Sequence, residues 1–533
     1  MSKKIDLVRE LLDRNCLLTP DATELLKEID VNRVDIEKLA DAIKDEIVVG
    51  AEKLESVLIS LDLLQSSDIS QRNATNDISI VEHSKKDSES KSIKKISTKT
   101  DLKDVDFVPI GKIIKKKMKV LLESSGKTTV EGSMKDFSTY FNSRYKQLRN
   151  IIRNRGDVLN TIYIRDLNRA KLQEKEQFTL IGMVKGKRTL KNGGMLLEIE
   201  DTTGNITINI SSKMQELIGK AGALLEDQVA GFFGRFYEDI FLLNDFIFPD
   251  IPIAHKKLVV DDPISVCFTS DLHIGSKEFL EDAFNRLINF LNGRVEDPYQ
   301  RTIASQIKYL IVNGDIVEGI GIYPKQEEDL IITDIYDQYK KAAQLLSKIP
   351  SWIHILIVSG NHDACRLALP QPAINEEYAP DLWKMPNVTM LSNPSTVDIH
   401  GLTFLLYHGN SFEDIASLTP GLNINDPNGP MIYTLRFRHL APTFGRRTSI
   451  VPSKKDELVI EKVPHVYHTG HIHINSNTQY RGVECINSGT FQSQTEFMLS
   501  KNIIPTPARV PILNLQSNKL SELVFFDKSE IKQ

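Results

Sequence analysis

Five times along the chain, an apolar run of strand length ends in a short polar or glycine turn that carries Asp, Asn or His. This recurrence limits the fold more than any other feature. Phe268-Thr-Ser-Asp-Leu-His-Ile-Gly-Ser276 delivers Asp271 and His273, and Tyr309-Leu-Ile-Val-Asn-Gly-Asp315 delivers Asp315. His354-Ile-Leu-Ile-Val-Ser-Gly-Asn-His-Asp363 supplies Asn361 and His362, Leu405-Leu-Tyr-His-Gly409 supplies His408, and Tyr467-His-Thr-Gly-His-Ile-His473 supplies His471 and His473. Side chains two residues apart at a strand tip face the same way. Open α/β sheets take their ligands at the carboxyl ends of the strands, where all five clusters fall. A lone His beside a strand is more often a satisfied core residue than a ligand, so it is the five together, in order, that predict an α/β domain with one site.

Carboxylate, amide and imidazole donors without a thiolate suit divalent ions of the Mn, Mg, Fe or Zn type. The number of donors is enough for two ions. The four cysteines, Cys16, Cys267, Cys365 and Cys485, show no C-x-x-C spacing, so neither a zinc ribbon nor a disulfide framework is indicated. They are expected to be reduced and mostly buried.

The motifs Asp271-x-His273, Gly314-Asp315, Gly360-Asn-His-Asp363, His408 and Gly470-His-x-His473 resemble those of the calcineurin-like metallophosphodiesterases, a group that includes double-strand-break repair nucleases. Longer stretches narrow the likeness. Phe137-Ser-Thr-Tyr-Phe-Asn-Ser-Arg-Tyr145, Arg438-His-Leu-Ala-Pro442, Asn487-Ser-Gly-Thr-Phe-Gln-Ser-Gln-Thr-Glu496 and Pro505-Thr-Pro-Ala-Arg-Val-Pro511 are similar to the small, exonuclease subunits of archaeal family-D DNA polymerases. The resemblance implies a phosphodiesterase β-sandwich flanked by helices and two divalent ions, Mn²⁺ first among them. Asp271, His273, Asp315 and His473 would hold one ion; Asp315, Asn361, His408 and His471 would hold the other, with Asp315 bridging. His362 is left without a metal and takes the role of general acid or phosphate stabiliser. Asp363 or Glu318 would orient it, and His468 is expected behind the ligands or in the core.

At 533 residues the chain exceeds a single core, and 41% hydrophobic with 26% charged residues is a globular composition. Residues 1–65 carry apolar side chains at helical spacing, as in Leu7, Val8, Leu11 and Leu12, and predict a small helical domain. Residues 66–106, rich in Ser, Lys, Asp and Asn, predict a disordered linker. From Lys85 to Lys119 there are 12 Lys against 5 Asp and Glu. Such a run is usually just solvated, but it also has the charge to hold DNA phosphates. A helical connecting segment is expected over 107–175, with Arg144, Arg149, Arg153 and Arg155 on its surface. Short strands and turns over 176–250 suggest a barrel, which the resemblance makes an OB-fold, with Lys185, Lys187, Arg188 and Lys191 in one loop as DNA-binding candidates. The phosphodiesterase domain takes 251–533, and its stretch 412–462 reads as long loops with Arg436, Arg438, Arg446, Arg447, Lys454 and Lys455.

A net charge of −5 argues against a wholly basic coat, so DNA contact must come from local patches. There is no apolar stretch of ~18 residues or more, and Met-Ser-Lys-Lys-Ile-Asp lacks the apolar core of a signal peptide, so no membrane and a cytoplasmic location are expected. The resulting expectation is a 3′→5′ exonuclease for single-stranded or mispaired DNA ends. It would be the small subunit of a two-subunit replicative polymerase, paired with a large catalytic subunit and reaching a sliding clamp through the complex. A stand-alone repair nuclease shares the five motifs, but not the barrel and helical module before them. A protein phosphatase would carry an arginine after the turn where this chain has Gly314-Asp-Ile-Val-Glu-Gly319. A structural subunit would have lost ligands, and here every one is present.

Overall fold

The computed structural model of the protein describes residues 107–167, 176–237, 240–253 and 260–526, together with a short parallel pair, Leu17–Leu18 with Val48–Val49. The chain divides into two compact units, Met1–Asp106 and Phe107–Gln533. The helical domain and linker expected over 1–65 and 66–106 otherwise lie outside the described residues, as does Cys16. No helix among the described residues is long and apolar enough to cross a membrane.

The segment expected to be a helical connector opens with a single helical turn, Ile110–Ile113, and then departs from expectation with a strand, β1 (Met118–Leu122), whose side chains alternate between half-buried and exposed. The helix that follows, α1 (Met134–Arg153), starts at Ser133, whose side chain accepts from Asp136 N–H while the Asp136 carboxylate accepts from Ser133 N–H. This reciprocal bonding satisfies donors that a helix start leaves free. Tyr140, Arg144, Tyr145, Leu148, Arg149 and Ile152 are its buried residues. Two of the four arginines depart from the expected basic surface, whereas Arg153 is exposed and Arg155 partly so. Arg144 is fully buried, with Nε 2.8 Å from Asp456 Oδ2 and Nη1 donating to the carbonyl of Pro442. Arg149 lies 4.2 Å over the Tyr163 ring. Periodicity reports which face a residue occupies, but not whether a distant carboxylate waits there.

Breaking a buried pair leaves an unpaired buried charge, so Arg144→Ala is expected to cost about 3–5 kcal/mol in chemical denaturation. A loss no larger than the ~1 kcal/mol of an exposed pair would count against it. Burial alone would raise the Asp456 carboxyl, but His439 and Arg144 reverse this and hold it below the ordinary 3.8. The stabilisation is therefore fully present above the unfolded carboxylate value and is lost as the pH falls from there through the lower folded-state value.

A six-stranded sheet comes next, with five antiparallel strands, β2 (Phe178–Thr189), β3 (Met195–Asp201), β4 (Gly204–Ile210), β5 (Val229–Tyr237) and β6 (Ile240–Ile247), in the order β4-β3-β2-β5-β6, and the two-residue strand Thr161–Ile162 parallel to β2. Helix α2 (Gln215–Gly222) fills the connection between β4 and β5. Of the four basic residues expected in one loop, three sit on a strand. Lys185, Lys187 and Arg188 are on β2 itself, and Lys191 is in the turn beyond it. Lys187 Nζ donates to the carbonyls of Gly222 and Leu224.

Two six-stranded sheets complete the unit. The first runs β10-β9-β8-β7-β16-β17, from β7 (Ser265–Thr269), β8 (Ile307–Asn313), β9 (His354–Val358), β10 (Val388–Leu391), β16 (Arg509–Asn514) and β17 (Lys519–Val524). Strands β7 to β10 are parallel, and β16 runs antiparallel beside β7. The second runs β14-β15-β13-β12-β11-β1, from β11 (Ser395–Ile399), β12 (Leu402–Leu406), β13 (Val466–Thr469), β14 (Ser476–Tyr480) and β15 (Val483–Asn487), with β1 closing its edge.

All five strands that lead into the motifs are buried at every position, because each sheet is covered on both faces. Val266 and Phe268 of β7 face Phe404 and Leu406 of the other sheet. Cys267, between them, faces Phe284 and Leu287 of α3 (Glu281–Leu291) and Tyr339 of α4 (Ile335–Leu346). This is the expected sandwich flanked by helices.

The stretch 412–462 is less loop-like than expected. It contains the helix Phe412–Leu418 and α5 (Asn428–Phe437), and Arg438 is buried with Nε donating to the carbonyl of Ile460. Cys267 and Cys485 are buried, Cys365 is partly so, and all three are free.

Candidate metal centre

Strands β7, β8 and β9 of the first sheet and β12 and β13 of the second end at one place, and their turns bring the motif side chains together. His273 Nε2 and His473 Nε2 stand 3.0 Å apart, and His473 Nε2 is 3.4 Å from Asp271 Oδ1. His408 Nε2 is 3.2 Å from Asp315 Oδ2 and 3.1 Å from Asn361 Oδ1. Asp315 Oδ2 is also 3.9 Å from His273 Nε2, so this carboxylate lies between two groups. The ligand atoms of Asp271, His273 and His473 all lie within 4.8 Å of one another, as do those of Asp315, His408 and His471.

Five of these residues hold a left-handed backbone: Asp271 (φ 51°), His273 (52°), Asp315 (51°), His471 (71°) and His473 (62°). Such conformations cost of order 1–3 kcal/mol each for residues with a side chain and persist where the surroundings over-determine them. Here the surroundings do. Asp271 N–H donates to the carbonyl of Gly314 and His273 N–H to that of Asp315, at 3.0 and 3.1 Å. The Asp271 carboxylate accepts His471 N–H, and Asp315 Oδ1 accepts His362 N–H at 2.8 Å. The chain segments come so close that a Cβ at Gly360 would overlap the Asp315 carboxyl, and one at Gly314 the His408 ring.

Burial opposes charge on every group, and the neighbours decide the outcome. Asp315 is nonetheless held well below the usual carboxylate range by His408, His362 and His273, and Asp271 is lowered by His473 and His408. His408 is pushed up to about 10 by Asp315, and His273 to about 9 by Glu318. Burial and the charge of His408 depress His471 to about 4. The cluster thus keeps ionised carboxylates buried against imidazoles. Two Nε2 atoms 3.0 Å apart must share a proton or a cation, and His473 Nδ1 finds no hydrogen-bond partner among the described residues. This donor set fits a divalent cation of the oxygen- and nitrogen-preferring type.

Of the two residues expected to orient His362, it is Glu318 that holds the ring, through its backbone carbonyl and not its carboxylate. His362 Nδ1 lies 2.8 Å from the backbone carbonyl of Glu318, which can only accept, so Nδ1 carries the proton and Nε2 remains for other work. The Glu318 carboxylate turns to His273, 2.9 Å from Nδ1. Asp363 closes the turn by accepting from Gly360 N–H and Ile316 N–H. Burial, then the charge of Asp315, pushes its carboxyl up to about 7. His468 is a core residue: it bonds Ser488 Oγ, packs on Phe268, and is pushed down to about 3 by burial.

Sequence reasoning missed a brace. Gln492 Nε2 donates to Glu318 Oε2 at 2.9 Å, and Thr490 Oγ1 to the carbonyl of Asp271 at 2.7 Å. Both residues lie in the Asn487–Glu496 stretch, whose polar run Thr490-Phe-Gln-Ser-Gln-Thr495 after a buried strand was the available signal.

Residues 266–477 match the family model of the DNA polymerase alpha/epsilon B-subunits. The DNA polymerase II small subunit of Methanothermobacter thermautotrophicus is 43% identical over 403 residues, covering 76% of this chain and 82% of that protein. That of Pyrococcus horikoshii is 43% identical over 74% of this chain, and the match spans 63% of its own length. A solved structure characterised as a novel archaeal phosphodiesterase is 13% identical, covering 49% of this chain and 99% of that one, with a TM-score of 0.25.

Proposed function

This chain belongs to the family of DNA polymerase II small subunits, and from that premise we propose that it is a metal-dependent 3′→5′ exonuclease. Its substrate is a single-stranded or mispaired DNA 3′ end, and its partner is the large subunit that carries out polymerisation. The observation that carries the reading is the meeting of Asp271, His273, Asp315, Asn361, His408, His471 and His473 from five strand ends, buried or nearly so.

In this reading Asp271, His273, Asp315 and His473 hold one divalent ion, and Asp315, Asn361, His408 and His471 a second. Ions held there supply an acidified water and neutralise the phosphoryl oxygens. Glu318 and Gln492 keep the His273 ring in place. His362, with Nδ1–H tied to the Glu318 carbonyl, would act as the imidazolium, giving its Nε2 proton to the departing O3′ and keeping the Nδ1 proton. The unit of five antiparallel strands β2 to β6, with a helix before β5 and a short parallel strand beside β2, is read as an OB-fold, which would guide the strand with Lys185, Arg188 and Lys191. Lys187 contributes less, being tied to carbonyls. Contact with a sliding clamp goes through the assembled polymerase. The reading as a purely structural subunit has no observation in its favour, since no candidate ligand is missing.

A 5′-labelled single strand incubated with the purified chain, alone and with the large subunit, tests this. Shortening from the 3′ end is expected with Mn²⁺ and is expected to stop on chelation. No shortening in either preparation, or shortening that survives chelation, would refute the reading.

A further inference from the structure

An aromatic shelf borders the candidate centre, and none of the roles above uses it. Tyr323 follows Glu318 on the same loop; its hydroxyl bonds Asp329 Oδ2 at 2.9 Å and reaches Glu318 Oε1 at 3.4 Å. The other Glu318 oxygen is the one beside His273, so the Tyr323 ring is anchored one side chain away from a candidate ligand. Phe497, on the short helix Glu496–Ser500, lies nearly parallel to it, at 21° with ring centroids 6.5 Å apart. Phe497 is 53% exposed, and Ile320 on the Tyr323 loop is 48% exposed. Lys501 Nζ lies 5.9 Å from the Phe497 ring.

The geometry points to a stacking platform for the unpaired bases at the 3′ end of a single DNA strand. This assignment rests on the nuclease reading for its substrate, but not for its chemistry. Aromatic faces stack on any base, so a platform of this kind tolerates sequence, as an exonuclease requires. Its position also suits that occupant. In that reading the phosphodiester to be cut lies at the cluster of His273 and Asp315, and the loop that carries Glu318 and Tyr323 borders that cluster, within reach of a base attached there. Glu327 and Glu328, exposed on that loop, repel phosphates and leave the uncharged base as the part that docks there. A fixed phenol hydroxyl keeps the Tyr323 ring from rotating away, which lowers the ordering cost of binding.

The test uses the full chain and a short deoxythymidylate strand carrying 2-aminopurine at its 3′ end, beside a strand whose last two residues are abasic. Binding is read by 2-aminopurine quenching and by competition, and excision is read separately with Mn²⁺. Phe497→Ala is expected to weaken binding of the base-bearing strand roughly tenfold, the size stacking reaches on alanine substitution. It should relieve the quenching and leave the abasic strand unaffected. Phe497→Trp should restore both readouts. Equal weakening for both strands, or none, overturns the platform. So does unchanged DNA binding together with weakened assembly with the large subunit, which would make the shelf a subunit contact. A wild-type chain that quenches 2-aminopurine but excises nothing would remove the nuclease reading and leave the platform standing. Excision that is insensitive to Phe497 would do the reverse.

Discussion

Asp315→Ala is expected to abolish hydrolysis and to release bound metal while leaving the chain folded. Asp315 Oδ2 lies 3.2 Å from His408 Nε2 and 3.9 Å from His273 Nε2, so this carboxylate reaches both candidate sites, and it approaches His408 more closely than Asp271 Oδ1 does at 4.0 Å. Its other oxygen accepts His362 N–H, so the substitution also frees the turn that presents the proton donor. Without it, Asp271 is the one carboxylate left in the proposed ligand set, beside the imidazoles and the Asn361 amide. Metal per chain, measured on the purified variant beside its denaturation midpoint, is the deciding quantity. Two equivalents retained at wild-type affinity would end the bridging assignment. Metal loss with a collapsed midpoint would assign Asp315 to the fold, and Asp315→Asn, which keeps the size and one acceptor, separates that outcome from loss of a ligand.

His362→Ala is expected to keep both ions and to lose roughly 10²–10⁴-fold in rate, the usual contribution of a positioned acid or base. The expectation comes from a division of its hydrogen bonds. The backbone N–H is committed to Asp315 and Nδ1–H to the Glu318 carbonyl, so removing the imidazole leaves the first contact intact. The loss should fall on kcat more than on KM, because a proton delivered to a leaving group is worth most in the transition state. A substrate with a leaving group that needs no proton should recover much of the rate. A variant that is inactive because it has lost metal would move His362 into the ligand set.

The candidate site was legible because its parts are local. A strand buried on both faces reads as an unbroken apolar run, and a turn carrying a ligand must interrupt it with Gly, Asp, Asn or His. Gly314 and Gly360 were readable as turn residues, but their need to be glycine comes from His408 and Asp315, which approach from elsewhere in the chain. The shelf of Tyr323 and Phe497 was not legible, since an exposed aromatic has no sequence signature until a second one stands beside it.

The identity and order of the strand tips, the types of donor they carry and the short strands and turns of 176–250 are all written in local residue patterns. Each follows from a period of two, from turn residues, or from donor type. Pairing across distance was settled only in three dimensions. Folding took Glu318 to His273 with its carboxylate and to His362 with its carbonyl, buried Arg144 against Asp456 312 residues away, and drew β1 onto the edge of the second sheet. It also put β7, β8 and β9 in one sheet and β12 and β13 in the other, so that the two groups of ligands meet across the end of a sandwich. Local propensity fixes which face a side chain occupies, whereas a partner hundreds of residues away is chosen when burial brings unsatisfied charges and donors together and leaves few arrangements that satisfy them all.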